Sequence, residues 1–279
     1  MNEARTSGPT IAPDAAAALM EPLTALVLKA GAAILAVNRG AMMVEGKPDG
    51  SPVTEADLAA DRVIGEGLLT LTPKLTTLSE ERAHLARPPF RGSFFLVDPL
   101  DGTKEFIAGR SEFTVNVALV TDGVPLLGIV AAPALSVVWR GIVGRGAERL
   151  RIDGASIGPA EPIRTRPMPK RGEPWIAAVS RSHGDARTEA FIAGRPGAIR
   201  QTLGSAVKFG RVAEGAVDVY PRLAPTSEWD VAAGCAVVTA AGGKVTDASG
   251  AEVRFGQGRE DFIVPEFIAW GDPSMPAGY

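Results

Sequence analysis

The segment Phe94-Phe95-Leu96-Val97 is apolar at every position and stops abruptly at Asp98-Pro99. A short run of that kind reads as a buried strand, and the residue before a proline favours an extended or turn conformation, so an acidic loop is expected at the strand's carboxyl end. Downstream, three β-rich runs between Phe113 and Val143 alternate with turn signals at Asp122-Gly123 and Pro133, the pattern of an antiparallel meander. Upstream, Ala15 to Val37 reads as an amphipathic surface helix followed by a loop over Asn38 to Pro52. Thr54 and Asp57 then stand at capping-box spacing, with Asp in place of the usual Glu or Gln, and a second helix is expected over about Glu55 to Thr70.

Between Gly144 and Pro174 the chain is rich in Gly, Pro and Arg with weak periodicity, which places a boundary between two intimate halves there. The division expected is a flexible tail over residues 1–13, an N-terminal α+β half over 14–150 and a C-terminal α/β half over 151–279. In the second half, strands over Trp175–Val179, Ala198–Leu203 and Ala216–Tyr220 alternate with helices over Ala186–Ala193, Ser205–Glu214 and Trp229–Ala241.

The chain has 279 residues and is 46% hydrophobic, enough to bury a sizeable core. A formal net charge of -3, with no Lys/Arg run, gives no basic footprint for nucleic acid or an anionic membrane. Cys235 is the single cysteine, which excludes an intrachain disulfide and multi-cysteine metal sites and points to the cytosol. The first thirteen residues lack the basic start and apolar run of a signal peptide. Ala15 to Val37 is interrupted by Glu21, Lys29 and Gly31, so no integral membrane segment is expected; peripheral association with the inner membrane stays open.

Acidic residues recur at element ends: Asp57 in the capping turn, Glu80-Glu81 after Leu78-Ser79, Asp98 and Asp101 around Pro99-Leu100, and Asp230 at the start of a late helix. Taken singly, each has a plain structural explanation as a cap, an Asx turn or a solvated pair. Together, carboxylates without cysteine or paired histidines suit magnesium or manganese, hard cations that take oxygen ligands. Phosphate monoesters resist unaided hydrolysis, and two metals can neutralise the dianion, activate water and stabilise the departing alkoxide. In Asp98-Pro99-Leu100-Asp101-Gly102-Thr103, Pro99 fixes one φ and Gly102 removes a Cβ from the path of a ligand. A helix starting near Asp101 would aim free N–H groups of Gly102 and Thr103 at phosphate oxygens and leave the Thr103 hydroxyl to orient water.

Val97-Asp98-Pro99-Leu100-Asp101-Gly102-Thr103-Lys104-Glu105-Phe106 and Glu228-Trp229-Asp230-Val231-Ala232-Ala233-Gly234, with trailing Ala241-Gly242-Gly243, resemble the two signature motifs of the inositol monophosphatase superfamily. Ser51-Pro52-Val53-Thr54-Glu55-Ala56-Asp57 and Leu78-Ser79-Glu80-Glu81 extend the resemblance over nearly the whole chain. It implies an α/β (α+β) fold, a layered αβαβα sandwich, and direct attack by water with lithium sensitivity. It further implies that Glu80, Asp98, the Leu100 carbonyl, Asp101 and Asp230 hold magnesium (two ions, a third during turnover left open), that Asp57 and Thr103 orient the water, with Glu80 in the catalytic set, and that Gly102, Thr103 and Asp230 meet the substrate.

Val179-Ser180-Arg181-Ser182-His183, Gly204-Ser205-Ala206-Val207-Lys208-Phe209 and Glu214-Gly215-Ala216-Val217-Asp218-Val219-Tyr220-Pro221-Arg222 resemble the 3′(2′),5′-bisphosphate nucleotidase branch, which serves sulfur assimilation. The substrate implied is adenosine 3′,5′-bisphosphate, with His183 by the adenine or ribose, Ser205 and Lys208 on the distal phosphate and sugar, and Arg222 adding a planar cation. A sugar or inositol phosphatase of the same fold and a catalytically silent phosphate-binding regulator are the alternatives. Either a monomer or a homodimer is compatible with the resemblance. Trp175, Phe209 and Trp229 are assigned to the core, and Cys235 to an inert buried thiol.

Overall fold

The computed structural model describes residues 8–40, 42, 44–46, 52–154, 156–182, 184–195, 197–257 and 262–275. Helix α1 (Pro13–Ala36) starts with proline, whose fixed φ suits a first turn. The ribbon β1 (Val44–Gly46) and β2 (Pro52–Thr54) leads into α2 (Glu55–Leu71). There the capping box forms as its spacing predicts, the Thr54 hydroxyl accepting from the Ala56 N–H while the Asp57 carboxylate accepts from the Thr54 N–H at 2.7 Å.

The large sheet is built from β3 (Thr76–Ser79), β4 (Ser93–Asp101), β5 (Thr114–Thr121), β6 (Val124–Ala132), β7 (Val137–Ile142), β8 (Gly146–Asp153), β9 (Ser156–Ile157) and β10 (Glu161–Ile163), with the short α3 (Thr103–Ile107) after β4. Its order is β10-β8-β7-β6-β5-β4-β3, with β9 on β8; only the β3–β4 pair is parallel. Phe95 and Val97 of β4 face α1 and α2, whereas Phe94 and Leu96 face the opposite layer. Both faces are covered, which is why the strand reads as an unbroken apolar run.

The second sheet and its helices comprise β11 (Ile176–Ser180), α4 (Ala186–Ala193), β12 (Ile199–Leu203), α5 (Val207–Ala213), β13 (Val219–Arg222), β14 (Thr226–Ser227), α6 (Glu228–Ala240), β15 (Lys244–Thr246), β16 (Ile263–Val264) and β17 (Phe267–Trp270). Its order is β12-β11-β13-β17-β15, with β11 parallel to both neighbours, while β14 and β16 form a separate ribbon. α5 and α6 lie between the sheets, and α6 is buried on nearly every side because each face meets a sheet or a helix. A Cβ on Gly128 of β6 would come within 2.2 Å of the Ala233 carbonyl oxygen, so glycine is what lets α6 lie that close. Phe191 and Ile192 of α4 cover the far face against Val179, Val219 and Trp270. The layers therefore run helix, sheet, helix, sheet, helix, the sandwich expected.

Several expectations need correction. β4 does not stop at Asp98 but continues to Asp101 through a register shift opposite Asn116 and Thr114, a bulge that accommodates Pro99. The large sheet extends through β8, β9 and β10, past the division expected near residue 150; β9 and β10 are short, and the exposed, charged positions along β8 blurred the periodicity. Residues 8–12 of the expected flexible tail are tied to the start of β4, with the Gly8 N–H on the Arg91 carbonyl at 3.1 Å and the Ser93 N–H on the Pro9 carbonyl at 3.0 Å. α1 is long and apolar enough to cross a membrane, against the expectation, yet it buries Leu23, Val27, Ala30 and Ile34 in the core.

Between the sheets, Arg166 donates to the buried Asp218 carboxylate at 2.5 and 2.6 Å, and the Ile176 N–H adds a bond at 2.5 Å. Asp218→Ala strands both donors and is expected to lower stability by about 2–3 kcal/mol, read as a lower urea midpoint.

Candidate active site

A cleft of about 530 Å³ opens where β4, β11 and β13 end and α6 begins. Its lining includes Glu80, Asp98, Leu100, Asp101, Gly102, Thr103, Ser205, Lys208, Arg222 and Asp230, brought together from both halves of the chain.

Asp98 is 1% exposed, and its carboxylate accepts the Leu100 N–H at 3.0 Å, the Asx turn that the bulge provides. Burial first, then the charges of Glu80, Asp101, Asp230 and Asp57, hold its carboxyl well above the usual carboxylate range. Oδ2 of Asp101 accepts from the Ala206 N–H at 2.7 Å, the Thr114 hydroxyl at 3.2 Å and the Asn116 amide at 3.3 Å, which orients the carboxylate rigidly. Burial, then Asp230, pushes Asp101 up to about 6, against the pull of Lys208 and the Ala206 N–H. Asp230 is held by the Thr226 hydroxyl, and Glu80 opens the short 3-10 helix (Glu80–Leu85) that follows β3.

Asp57 does not line the cleft directly, but it supports the residue that does. The Thr103 hydroxyl donates to Asp57 Oδ1 at 3.0 Å, while Asp57 Oδ2 takes the Thr54 N–H and, at 2.6 Å, the Thr54 hydroxyl. The Thr103 hydroxyl also lies 3.3 Å from the Leu100 carbonyl; with its hydrogen directed to these two acceptors, the shorter bond being to Asp57, the Thr103 oxygen is left as an acceptor at the cleft wall. Gly102 caps α3 at φ 93, and a Cβ there would overlap the Ser205 hydroxyl oxygen at 2.1 Å, so both conformation and space demand glycine.

The remaining assignments are placed less simply. The Ser205 hydroxyl lies 2.9 Å from the Asp101 carbonyl and 2.8 Å from the Glu112 carbonyl, so its hydrogen ties the two halves together and is not free for substrate. Lys208 is 2% exposed beneath the cleft, where its ammonium donates to the Ser205 carbonyl at 2.5 Å and lies 5.0 Å over the Tyr220 ring. Burial pulls Lys208 down to about 8, opposed by Asp101. Arg222 reaches the Pro225 carbonyl at 3.3 Å, and its Nε is buried without a hydrogen-bond partner. His183 lies outside the described residues. Trp229 and Phe209 are buried as expected but also line the cleft, and burial pushes the Cys235 thiol up to about 12, as suits an inert core cysteine.

Tyr220, Glu105 and Ser180 also line the cleft, although no role was read for them in the sequence. Tyr220 packs edge-on against Phe209 and Phe267. Each stands within a quoted motif, yet an aromatic in a strand and a glutamate in a helix look like core and surface until the opposing half is in place.

Among the described residues, no three His, Cys, Asp or Glu side chains already stand in a metal-coordinating arrangement. The chemistry of the donor set nevertheless fits magnesium. Every candidate donor is a hard oxygen, and the buried carboxylates raise one another's proton affinity, an excess of negative charge that a cation would relieve.

The model of the inositol monophosphatase family matches residues 17–268. The 3′(2′),5′-bisphosphate nucleotidase CysQ of Escherichia coli strain K12 is 40% identical over 258 residues, covering 89% of this chain and 98% of that protein; the Salmonella typhimurium counterpart is 41% identical over the same coverage. Among solved structures, CysQ from Bacteroides thetaiotaomicron, described as a bacterial member of the same family, is 31% identical with a TM-score of 0.71, covering 92% of this chain and 98% of that one. The suppressor protein suhB of Bartonella henselae is 25% identical with a TM-score of 0.72.

Proposed function

The chain belongs to the inositol monophosphatase family, and from that membership we propose that it is a magnesium-dependent 3′(2′),5′-bisphosphate nucleotidase, converting adenosine 3′,5′-bisphosphate and water to AMP and inorganic phosphate. The observation that carries the reading is a single cleft in which buried carboxylates face Lys208 and Arg222, in a chain 40% identical to nucleotidases over nearly their full length. In this reading the enzyme acts on a small-molecule phosphate ester in the cytoplasm, in sulfur assimilation.

Glu80, Asp98, Asp101, Asp230 and the Leu100 carbonyl would hold magnesium. When bound, magnesium supplies neutralisation of the phosphate dianion, a lowered pKa for water and stabilisation of the leaving oxygen. The protein's own residues set the geometry. Thr103, fixed by its bond to Asp57, accepts a hydrogen bond from the attacking water and keeps a lone pair of that water aimed at phosphorus. The water oxygen bonds to phosphorus and gives up one proton while the bond to the 3′-oxygen breaks; that oxygen leaves with the electron pair and takes up one proton, so the step is proton-neutral overall. The Gly102-Thr103 turn, which closes against the Ser205 hydroxyl because Gly102 has no Cβ, borders the phosphate at the cleft wall. Arg222, with its buried, unpartnered Nε, supplies a fixed cation for the second phosphate, while Lys208 sets a positive potential from below.

Phosphate release from adenosine 3′,5′-bisphosphate, measured beside inositol 1-phosphate and fructose 1,6-bisphosphate, tests the reading: the nucleotide should have the highest kcat/KM. Preference for inositol 1-phosphate would move the inositol phosphatase alternative ahead. Arg222→Ala is expected to lower kcat/KM for the nucleotide by roughly tenfold more than for a small monophosphate, since a charge-assisted hydrogen bond contributes about 1.5–3 kcal/mol. Equal losses on both would remove Arg222 from the distal site. Lithium at about ten millimolar or more should inhibit the magnesium-activated enzyme by competing at a cation position. Insensitivity would count against the proposed metal site.

A further inference from the structure

Glu105 lies in α3, two residues beyond Thr103, and none of the roles assigned above uses it. It is 4% exposed, yet it lines the cleft. Its Oε1 accepts the Ser182 hydroxyl from beyond the end of β11 and lies 4.0 Å from the Arg110 guanidinium. Oε2 makes no hydrogen bond among the described residues and lies beside Gly102, 3.4 Å from where a Cβ would be and next to the Ser205 hydroxyl that packs there. On the other side, a Cβ on Gly204 would stand 3.1 Å from the Glu105 side chain. The carboxylate is thus held between two glycines, with one oxygen anchored and the other beside the turn that carries Thr103.

A carboxylate so placed repels phosphate and can only accept hydrogen bonds. The group that suits it is therefore a neutral donor on the substrate. Position narrows the choice further. Oε2 borders the Gly102-Thr103 turn, where the scissile phosphate sits in the proposed mechanism, so the donor must lie within a bond or two of the phosphorylated carbon. An amine on a base is too many bonds away; a hydroxyl on the adjacent carbon is not.

We infer that Glu105 is a specificity-determining residue that accepts a hydrogen bond from the hydroxyl vicinal to the scissile phosphate, an inference that rests on the reaction site proposed above. In a nucleoside 3′,5′-bisphosphate that group is the 2′-hydroxyl, and in a 2′,5′-bisphosphate it is the 3′-hydroxyl. The substrate class is then the phosphate monoester of a vicinal diol.

The test compares kcat/KM for adenosine 3′,5′-bisphosphate and its 2′-deoxy analogue in the wild type, Glu105→Gln and Glu105→Met, with thermal melts to verify folding. Both substitutions keep the side-chain length that fills the slot. The wild type should prefer the ribonucleotide by roughly tenfold or more, as a hydrogen bond to a charged acceptor provides. Glu105→Met should bring the ratio close to one, and Glu105→Gln should fall between, because a neutral acceptor bonds about half as strongly. A wild type that does not distinguish the pair, or a Met variant that loses both activities in equal proportion, overturns the inference and leaves Glu105 as a latch to Ser182. Failure of the nucleotidase reading looks different, since neither nucleotide would then be hydrolysed. In that event propane-1,2-diol 1-phosphate against propyl phosphate decides by the same ratio, parity in the wild type overturning the inference and a preference lost in Glu105→Met upholding it.

Discussion

Asp98→Asn is expected to lower kcat/KM by about a thousandfold or more and, at the same time, to raise the thermal midpoint of the magnesium-free protein. The two effects share one cause. Asp98 is 1% exposed, and the charges of Glu80, Asp101, Asp230 and Asp57 all act on it unfavourably. Asparagine keeps the oxygen that accepts the Leu100 N–H at 3.0 Å, so the turn survives while the repulsion goes. The same neutralisation removes a ligand charge from the proposed cation site. Magnesium stabilises a protein that binds it by about 2.7 kcal/mol at a hundred times its dissociation constant, so the wild type should melt higher with magnesium than with chelator, and the variant should lose most of that difference. Phosphate-release assays and melts in magnesium and in EDTA read both halves. Full turnover in EDTA, or a variant as active as the wild type, would sink the metal assignment.

The parts of this molecule that were legible in the sequence are those whose physical cause is local. The capping box at Thr54 and Asp57 could be read because its partners are three residues apart, and the meander because its turns announce themselves at Asp122-Gly123 and Pro133. The convergence of Asp98 with Asp101 followed from a turn that holds both. What could not be read depends on the other half of the chain. Ser205 looked like a substrate ligand, but its hydroxyl is spent on the Asp101 and Glu112 carbonyls, and nothing in its neighbours along the chain reveals that. Lys208 sits on a helix where a solvated charge would be unremarkable, yet α5 lies between two sheets and the ammonium is buried beneath the cleft. The continuation of the large sheet past Gly144 was hidden for a related reason. The strands at that end of the sheet, β8 and the edge strand β10, bury little, so the apolar alternation that signals a strand is weak there.

That division bears on how the site works. The first half carries most of the candidate cation ligands, whereas Asp230, Lys208 and Arg222 come from the second. Asp101 joins the two, because its carboxylate is oriented by Thr114 and Asn116 of its own sheet and by the Ala206 N–H from across the cleft. The Arg181–Glu112 ion pair, at 2.8 Å, and the bond from the Gly204 N–H to Glu112 at 3.1 Å brace the same junction. A pre-set geometry of this kind limits the reorganisation left for the reaction step.

Thr103→Ala is expected to reduce kcat by about a hundredfold or more while KM changes by less than about threefold, since orientation of the attacking water matters in the transition state far more than in the bound ground state. The substitution is structurally mild. Thr103 is half-buried at the first turn of α3, and losing its hydroxyl leaves Asp57 with its two bonds from Thr54. Asp57→Asn is the harsher change, because an amide presents a donor on one side where the carboxylate accepts from Thr54 on one oxygen and Thr103 on the other. It should combine the loss in kcat with a loss of about 1–2 kcal/mol in stability. Thr103→Ser supplies the decisive control. Serine keeps the oxygen and its hydrogen, so it can bond Asp57 and still accept from water, and turnover should return to within about tenfold of the wild type, the rest reflecting a less restricted χ1. Steady-state kinetics on the three variants separate the possibilities. Should Thr103→Ala raise KM and leave kcat alone, the hydroxyl would be a phosphate ligand, and the role of the Asp57–Thr103 pair in aiming water would have to be withdrawn.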